Sequence, residues 1–223
     1  SDHEDPVNHT PQSNARPARK RGRRHPIATI ALVAIGLLGT GGVYALATSS
    51  ATAETTVQAQ EQVANGGKLF AANCATCHGM ALQGTADGPT LVGVGAASVD
   101  FQVGTGRMPM AQSGPQAEQK PVQFTAEQIA ALAAYVDSVG GGPSIPTDEQ
   151  LTASSDLAAG GELFRINCAM CHNVAGAGGA LTEGKFAPPL TGVLPVHVWE
   201  AMVTGPQNMP VFNDQNISPE DKA

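Results

Sequence analysis

The polarity of the chain changes abruptly near its N-terminus. ARKRGRRH ends at His25, and PIATIALVAIGLLGTGGVYALAT follows, with no charged residue between Arg24 and Glu54. Ile27 to Thr48 is 22 residues, about 33 Å as a helix against a hydrocarbon core of about 30 Å, so the segment is predicted to span a bilayer. Further on, apolar positions recur at helical intervals. Leu69 with Phe70, and Leu163 with Phe164, supply the apolar faces of short helices predicted to begin near Gly66 and Gly160. Thr125 and Gln128 have capping-box spacing, and Ile129, Leu132 and Val136 follow until Gly140 ends the pattern. Strand-like alternation is almost absent. The expected fold class is therefore all-α.

Two stretches repeat in register. GGKLFAANCATCH (66–78) aligns with GGELFRINCAMCH (160–172), GPTLVG (88–93) with APPLTG (187–192), TGRMP (105–109) with TGPQNMP (204–210), and FTAEQ (124–128) with ISPED (217–221). Matching order across so many short segments indicates two copies of one domain. GGGPSIPTDEQ (140–150) has the composition of a linker between them. The division expected is a basic tail at 1–25, an apolar anchor at 26–53, a first domain at 54–139, a linker at 140–155 and a second domain at 156–223. In the second copy Ser218 suits a helix N-cap, Pro219 the first helical position, and Glu220 with Asp221 the positive end of the helix dipole. Since the first copy runs about a dozen residues further here, and since residue 1 is Ser, the expectation is a shortened chain.

Charge separates along the chain. The net is -7, yet residues 1–25 carry three acids and six bases, leaving -10 for the remainder. The basic run lacks interleaved aromatics and abuts an apolar segment, which argues against nucleic-acid binding and for a positive cytoplasmic flank, with everything after Thr48 outside. The competing reading is a cleaved signal peptide, because Ala51-Thr52-Ala53 forms an A-x-A site. Both readings export residues 54–223. Aromatic residues make up only 4% of the chain, little bulky material for a core, and a large apolar cofactor would compensate.

All four cysteines lie in the two C-x-x-C-H motifs, at Cys74, Cys77, Cys168 and Cys171, followed by His78 and His172. This spacing lets two thiols add to the two vinyl groups of a haem while the adjacent histidine ligates its iron. A disulfide or thioredoxin-like pair would not need the histidine, and no βαβ pattern surrounds either motif. Zinc modules place a second ligand pair within about 20 residues, whereas Cys74 and Cys168 are 94 apart. Two covalent haems c are expected. For the sixth iron ligand the repeat nominates Met108 and Met209, each before a proline and 30 and 37 residues beyond its histidine. Met110 competes in the first domain, while Met80, Met170 and Met202 have no counterpart. A His/Met pair closes both axial positions, which suits electron transfer and disfavours peroxide chemistry. Pro89 and Pro188 are read either as simple turn prolines or as carbonyl acceptors for the axial histidines. His3, His9 and His25 are assigned no chemistry, and His197 near Trp199 is read as a surface or partly packed helix residue. No carboxylate pair, Ser/His/Asp set or phosphate loop stands out, GVGAAS (93–98) included, so no catalytic residue is named.

NCATCHGMALQG, GPTLVG, FQVGTGRMP, GGELFRINCAMCHN and MVTGPQNMP resemble the dihaem cytochrome cc subunit of the actinobacterial cytochrome bc1 complex, over roughly residues 64–223. The resemblance implies two tandem class I cytochrome c-like haem domains after an N-terminal transmembrane helix, in a subunit of a quinol:cytochrome c reductase at the bacterial cell membrane. It implies one haem on Cys74 and Cys77 with His78 and Met108 as iron ligands, and another on Cys168 and Cys171 with His172 and Met209. The implied partners are the cytochrome b subunit, the Rieske iron-sulfur subunit and an aa3-type cytochrome c oxidase, with electrons passing from the Rieske centre through both haems to the oxidase. The family has a further C-terminal membrane helix, and this chain ends before it. Two other functions stay open: the electron-accepting cytochrome subunit of another exported dehydrogenase, and a dihaem peroxidase.

Overall fold

A computed structural model of the chain describes residues 26–112, 114–153 and 156–223. The basic tail 1–25, with His3, His9 and His25, lies outside the described residues, as do the side chains of 46–54 and hence of the A-x-A site. The chain divides into two compact units, 1–53 and 54–223, and the boundary falls within helix α1 (Pro26–Asn73). In the first unit, Pro26–Ala45 is long and apolar enough to cross a membrane, and none of it is buried within the chain. Leu38 is 77% exposed, so this helix keeps no apolar face for a core of its own.

The helix expected to start near Gly66 is instead the end of α1. No proline interrupts residues 27–88, and alanine, glutamine and glutamate dominate the approach to Gly66, so nothing stops the helix there. Gly66 serves packing: a Cβ on it would lie 1.9 Å from the carbonyl oxygen of Ala131 in α4 (Ala126–Gly140). The glycine lets two helices touch backbone to backbone.

In the first haem-type domain the chain continues from α1 through α2 (Ala75–His78) and α3 (Gly95–Gly104) to α4. Thr125 caps α4 with the expected box, its hydroxyl accepting from Gln128 N while the Gln128 side chain accepts from Thr125 N. Ile129, Leu132 and Val136 are buried with Phe70, Leu82, Val99 and Val103 in one apolar cluster. Such a cluster is what removes about 25 cal/mol per Å² of apolar surface from water.

The stretch read as a linker is partly ordered: Thr147 caps a one-turn helix, α5 (Asp148–Leu151), which packs against the second domain. That domain contains α6 (Leu157–Asn167), α7 (Ala169–His172), α8 (Pro195–Thr204) and α9 (Pro219–Lys222). Ser218 caps α9 by accepting from Asp221 N. Among the described residues, an otherwise helical architecture carries one antiparallel pair of two-residue strands, β1 (Gly179–Ala180) and β2 (Phe186–Ala187). The fold is that of class I cytochrome c domains. Helices α3 and α8, which occupy corresponding places in the repeat, pack on each other. Thr105 and Thr204 also correspond, and each hydroxyl donates to the carbonyl four residues back, of Phe101 and of Glu200.

Candidate haem centres

Both C-x-x-C-H motifs adopt one backbone. The helix leading in breaks at the first cysteine, Cys74 (φ -124°, ψ -32°) or Cys168 (φ -117°, ψ -36°), and a single turn follows, α2 or α7. Each histidine N–H then donates to the first cysteine's carbonyl, at 2.9 Å in both copies. The next residue turns sharply, Gly79 at φ 73°, ψ 151° and Asn173 at φ 67°, ψ 152°. Glycine adopts this conformation freely, and Asn173 holds it in the second copy although a Cβ disfavours it. A returning loop donates from Gly84 N to His78 O and from Gly178 N to His172 O, each at 2.8 Å.

That loop carries the prolines. His78 Nδ1 lies 2.8 Å from the Pro89 carbonyl oxygen, and His172 Nδ1 lies 2.9 Å from that of Pro188. A carbonyl oxygen only accepts, so Nδ1 holds the proton and Nε2 keeps its lone pair for a metal. Of the two readings of these prolines, the acceptor role matches the geometry in both copies. The four cysteines form no disulfides with one another. Burial, then the neighbouring Cys77, pushes Cys74 up to about 11, and burial followed by Cys171 raises Cys168 as well.

The methionines differ in setting. Met108, whose N–H donates to Gln102 O at 2.8 Å, packs against the apolar cluster of the first domain together with Cys74. Met110 is partly buried too. In the second domain Met209, Cys168, Cys171 and His172 line one cavity of about 580 Å³, which Met170 and Met202 also reach. Phe101, Phe164, Phe186 and Phe212 supply aromatic wall. Two thiols, an imidazole with its Nε2 lone pair available and thioether sulfurs around an apolar cavity of this size fit haem c.

Sequence reasoning missed the contribution of the first domain to the second cavity. Phe101, Gly104, Thr105 and Arg107 all line it. The Arg107 guanidinium sits 4.9 Å over the Phe101 ring, and burial lowers its pKa. His197, read as a surface or partly packed helix residue, is mostly covered, and it also lines the cavity and stands 4.0 Å from Asp100 across the α3–α8 contact. Burial lowers its pKa, with Asp100 raising it and Arg107 lowering it further. Its neighbour Glu200 is fully buried, and burial followed by the charge of Asp100 raises its pKa to about 9. The signal available in the sequence was the His197-x-x-Glu200 spacing, one face of a helix.

Residues 63–140 match the family model for cytochrome c, and residues 155–223 match that for cytochrome c oxidase, cbb3-type, subunit III. The chain is 41% identical to the cytochrome bc1 complex cytochrome c subunit of Corynebacterium efficiens, over 95% of this chain and 77% of that protein. It is 43% identical to the subunit of the same name from Mycobacterium tuberculosis strain H37Rv, over 92% of this chain and 75% of that protein. The chain belongs to the cytochrome bc1 complex cytochrome c subunit family. Its repeat is thus a pair of cytochrome c domains, and its cysteine pairs fit haem c in an electron-transport protein of that complex. The Corynebacterium diphtheriae member is 41% identical over 92% of this chain and 79% of its own length.

Proposed function

We propose that this chain is a dihaem electron-transfer subunit of a quinol:cytochrome c oxidoreductase, accepting electrons from a Rieske iron-sulfur centre and delivering them to an aa3-type terminal oxidase. Cys74 and Cys77 hold one covalent haem c, with His78 and Met108 on its iron, and Cys168 and Cys171 hold the other, with His172 and Met209. The observation that carries this reading is the doubled His-to-proline-carbonyl hydrogen bond, at 2.8 Å and 2.9 Å, which leaves Nε2 free in both motifs. The bound group would supply one-electron exchange, with His78 and Met108, or His172 and Met209, holding its iron. The chain contributes the fixed tautomer of each histidine, the thiols that would anchor the group, and an apolar wall that keeps water away.

Residues 26–53 serve as the membrane anchor, with the tail 1–25 cytoplasmic and the cytochrome domains 54–139 and 156–223, joined through 140–155, on the outer face. The cytochrome b subunit and membrane lipid are its further neighbours. Intact mass and a pyridine haemochrome assay on the chain, exported from cells able to attach haem c, test the reading. Two haems per chain are expected, falling to one in the Cys168→Ala/Cys171→Ala variant. One haem or none on the parent chain would overturn it.

A further inference from the structure

We propose that Asp100, His197 and Glu200 form a divalent-metal site of the zinc class at the contact between the two cytochrome domains. Asp100 comes from α3, and His197 and Glu200 stand three residues apart on one face of α8. One ligand-capable atom from each lies within 4.8 Å of the others. His197 Nε2 is 4.0 Å from Asp100 Oδ2 and lies beside Gly104 of α3.

A second observation points to a ligand. Glu200 is 0% exposed, and neither of its carboxyl oxygens has a hydrogen-bond partner. A buried carboxyl without a donor is costly, and native folds seldom leave one unanswered. Its oxygen faces Asp100 and His197; a proton shared with Asp100 answers the two carboxyls only, whereas a cation answers all three groups. One imidazole nitrogen with two carboxylate oxygens suits zinc, with the fourth tetrahedral position open to water, better than it suits magnesium or calcium, which prefer more oxygen ligands. Bonds of about 2.0–2.2 Å put tetrahedral donors about 3.4 Å apart, so the three groups close inward by roughly 1 Å. The Asp100 side chain is 25% exposed and gives the ion its entry. Arg107 is the opposing charge nearby, and two carboxylates outweigh it.

The test uses the full-length haem-loaded chain, stripped with chelator and dialysed against micromolar zinc, with zinc counted by elemental mass spectrometry and protein by amino-acid analysis. One more zinc per chain is expected on the parent than on Glu200→Gln, His197→Gln or Asp100→Asn, each binding at least about 10-fold more weakly. Comparison with Glu200→Gln cancels any zinc on unloaded cysteines, and this variant removes a ligand without burying a new charge. An unchanged Soret spectrum on Glu200→Gln and Asp100→Asn, neither of which lines the haem cavity, shows that these variants are folded. Equal zinc on the parent and on Glu200→Gln, or none on either, would overturn the site and leave a shared proton as the answer to Glu200.

Discussion

With metal removed, Glu200→Gln is expected to stabilise the second cytochrome domain, by an amount that grows with pH. Glu200 has its pKa raised from 4.5 to about 9, first by burial and then by Asp100. A carboxyl held protonated in the folded chain adds stability below its unfolded pKa, near 4.5, and loses it as pH climbs toward about 9. At pH 7 the folded chain must keep a proton that the unfolded chain would release, at about 1.4 kcal/mol per pH unit, a ceiling of roughly 3 kcal/mol. Solvent reaches Asp100 and screens part of this, and the glutamine amide needs partners of its own, so about 1–2 kcal/mol is expected at pH 7. Near pH 4.5 the proton cost vanishes, and the variant should be no more stable than the parent. Urea unfolding with chelator present measures the difference, and Trp199, the single tryptophan and 6% exposed, reports on this domain. A difference that does not change between pH 5 and pH 8, or a variant weaker than the parent at pH 8, would refute the assignment of a buried, protonated Glu200.

Leu132→Ala, at a side chain 1% exposed in the first-domain cluster, is expected to cost about 2–5 kcal/mol in denaturant unfolding of the full chain in detergent. Thr125→Ala removes the hydroxyl half of the α4 capping box and is expected to cost about 1 kcal/mol by the same measurement. Met209→Ala is expected to lower one haem midpoint in a potentiometric titration, by on the order of 0.1 V within the ~0.8 V range that axial ligands span, and to leave the other in place. Met108→Ala should move the other midpoint, and Met110→Ala neither.

Local rules were legible in the sequence, and the places where they failed have one cause. The α4 cap, the Ser218 cap and the placing of Pro89 and Pro188 opposite the histidines depend on residues at most 16 apart. Gly66 misled because a helix-starting glycine and a packing glycine look alike until Ala131 is brought beside it. The Asp100–His197–Glu200 group was hidden for the same reason: Asp100 belongs to one repeat and the other two to the next, and no periodicity reports the approach of α3 to α8. The scarcity of aromatic residues, by contrast, pointed to a cofactor-sized space. Apart from Trp199, the second domain's buried apolar side chains are few and small to medium in size, Ala187, Met202 and Ile217, around the space that Met209 and His172 enclose.

Gln116 binds the edge of β2 as a neighbouring strand would, its amide nitrogen donating to Phe186 O at 2.8 Å and its amide oxygen accepting from Phe186 N at 2.9 Å. One side chain of the first cytochrome domain thereby mimics a peptide group against the backbone of the second. Under the proposed reading, electron exchange between two redox centres held in this way involves no encounter. Its rate should be indifferent to ionic strength and viscosity, the two variables that govern a carrier which must diffuse and dock.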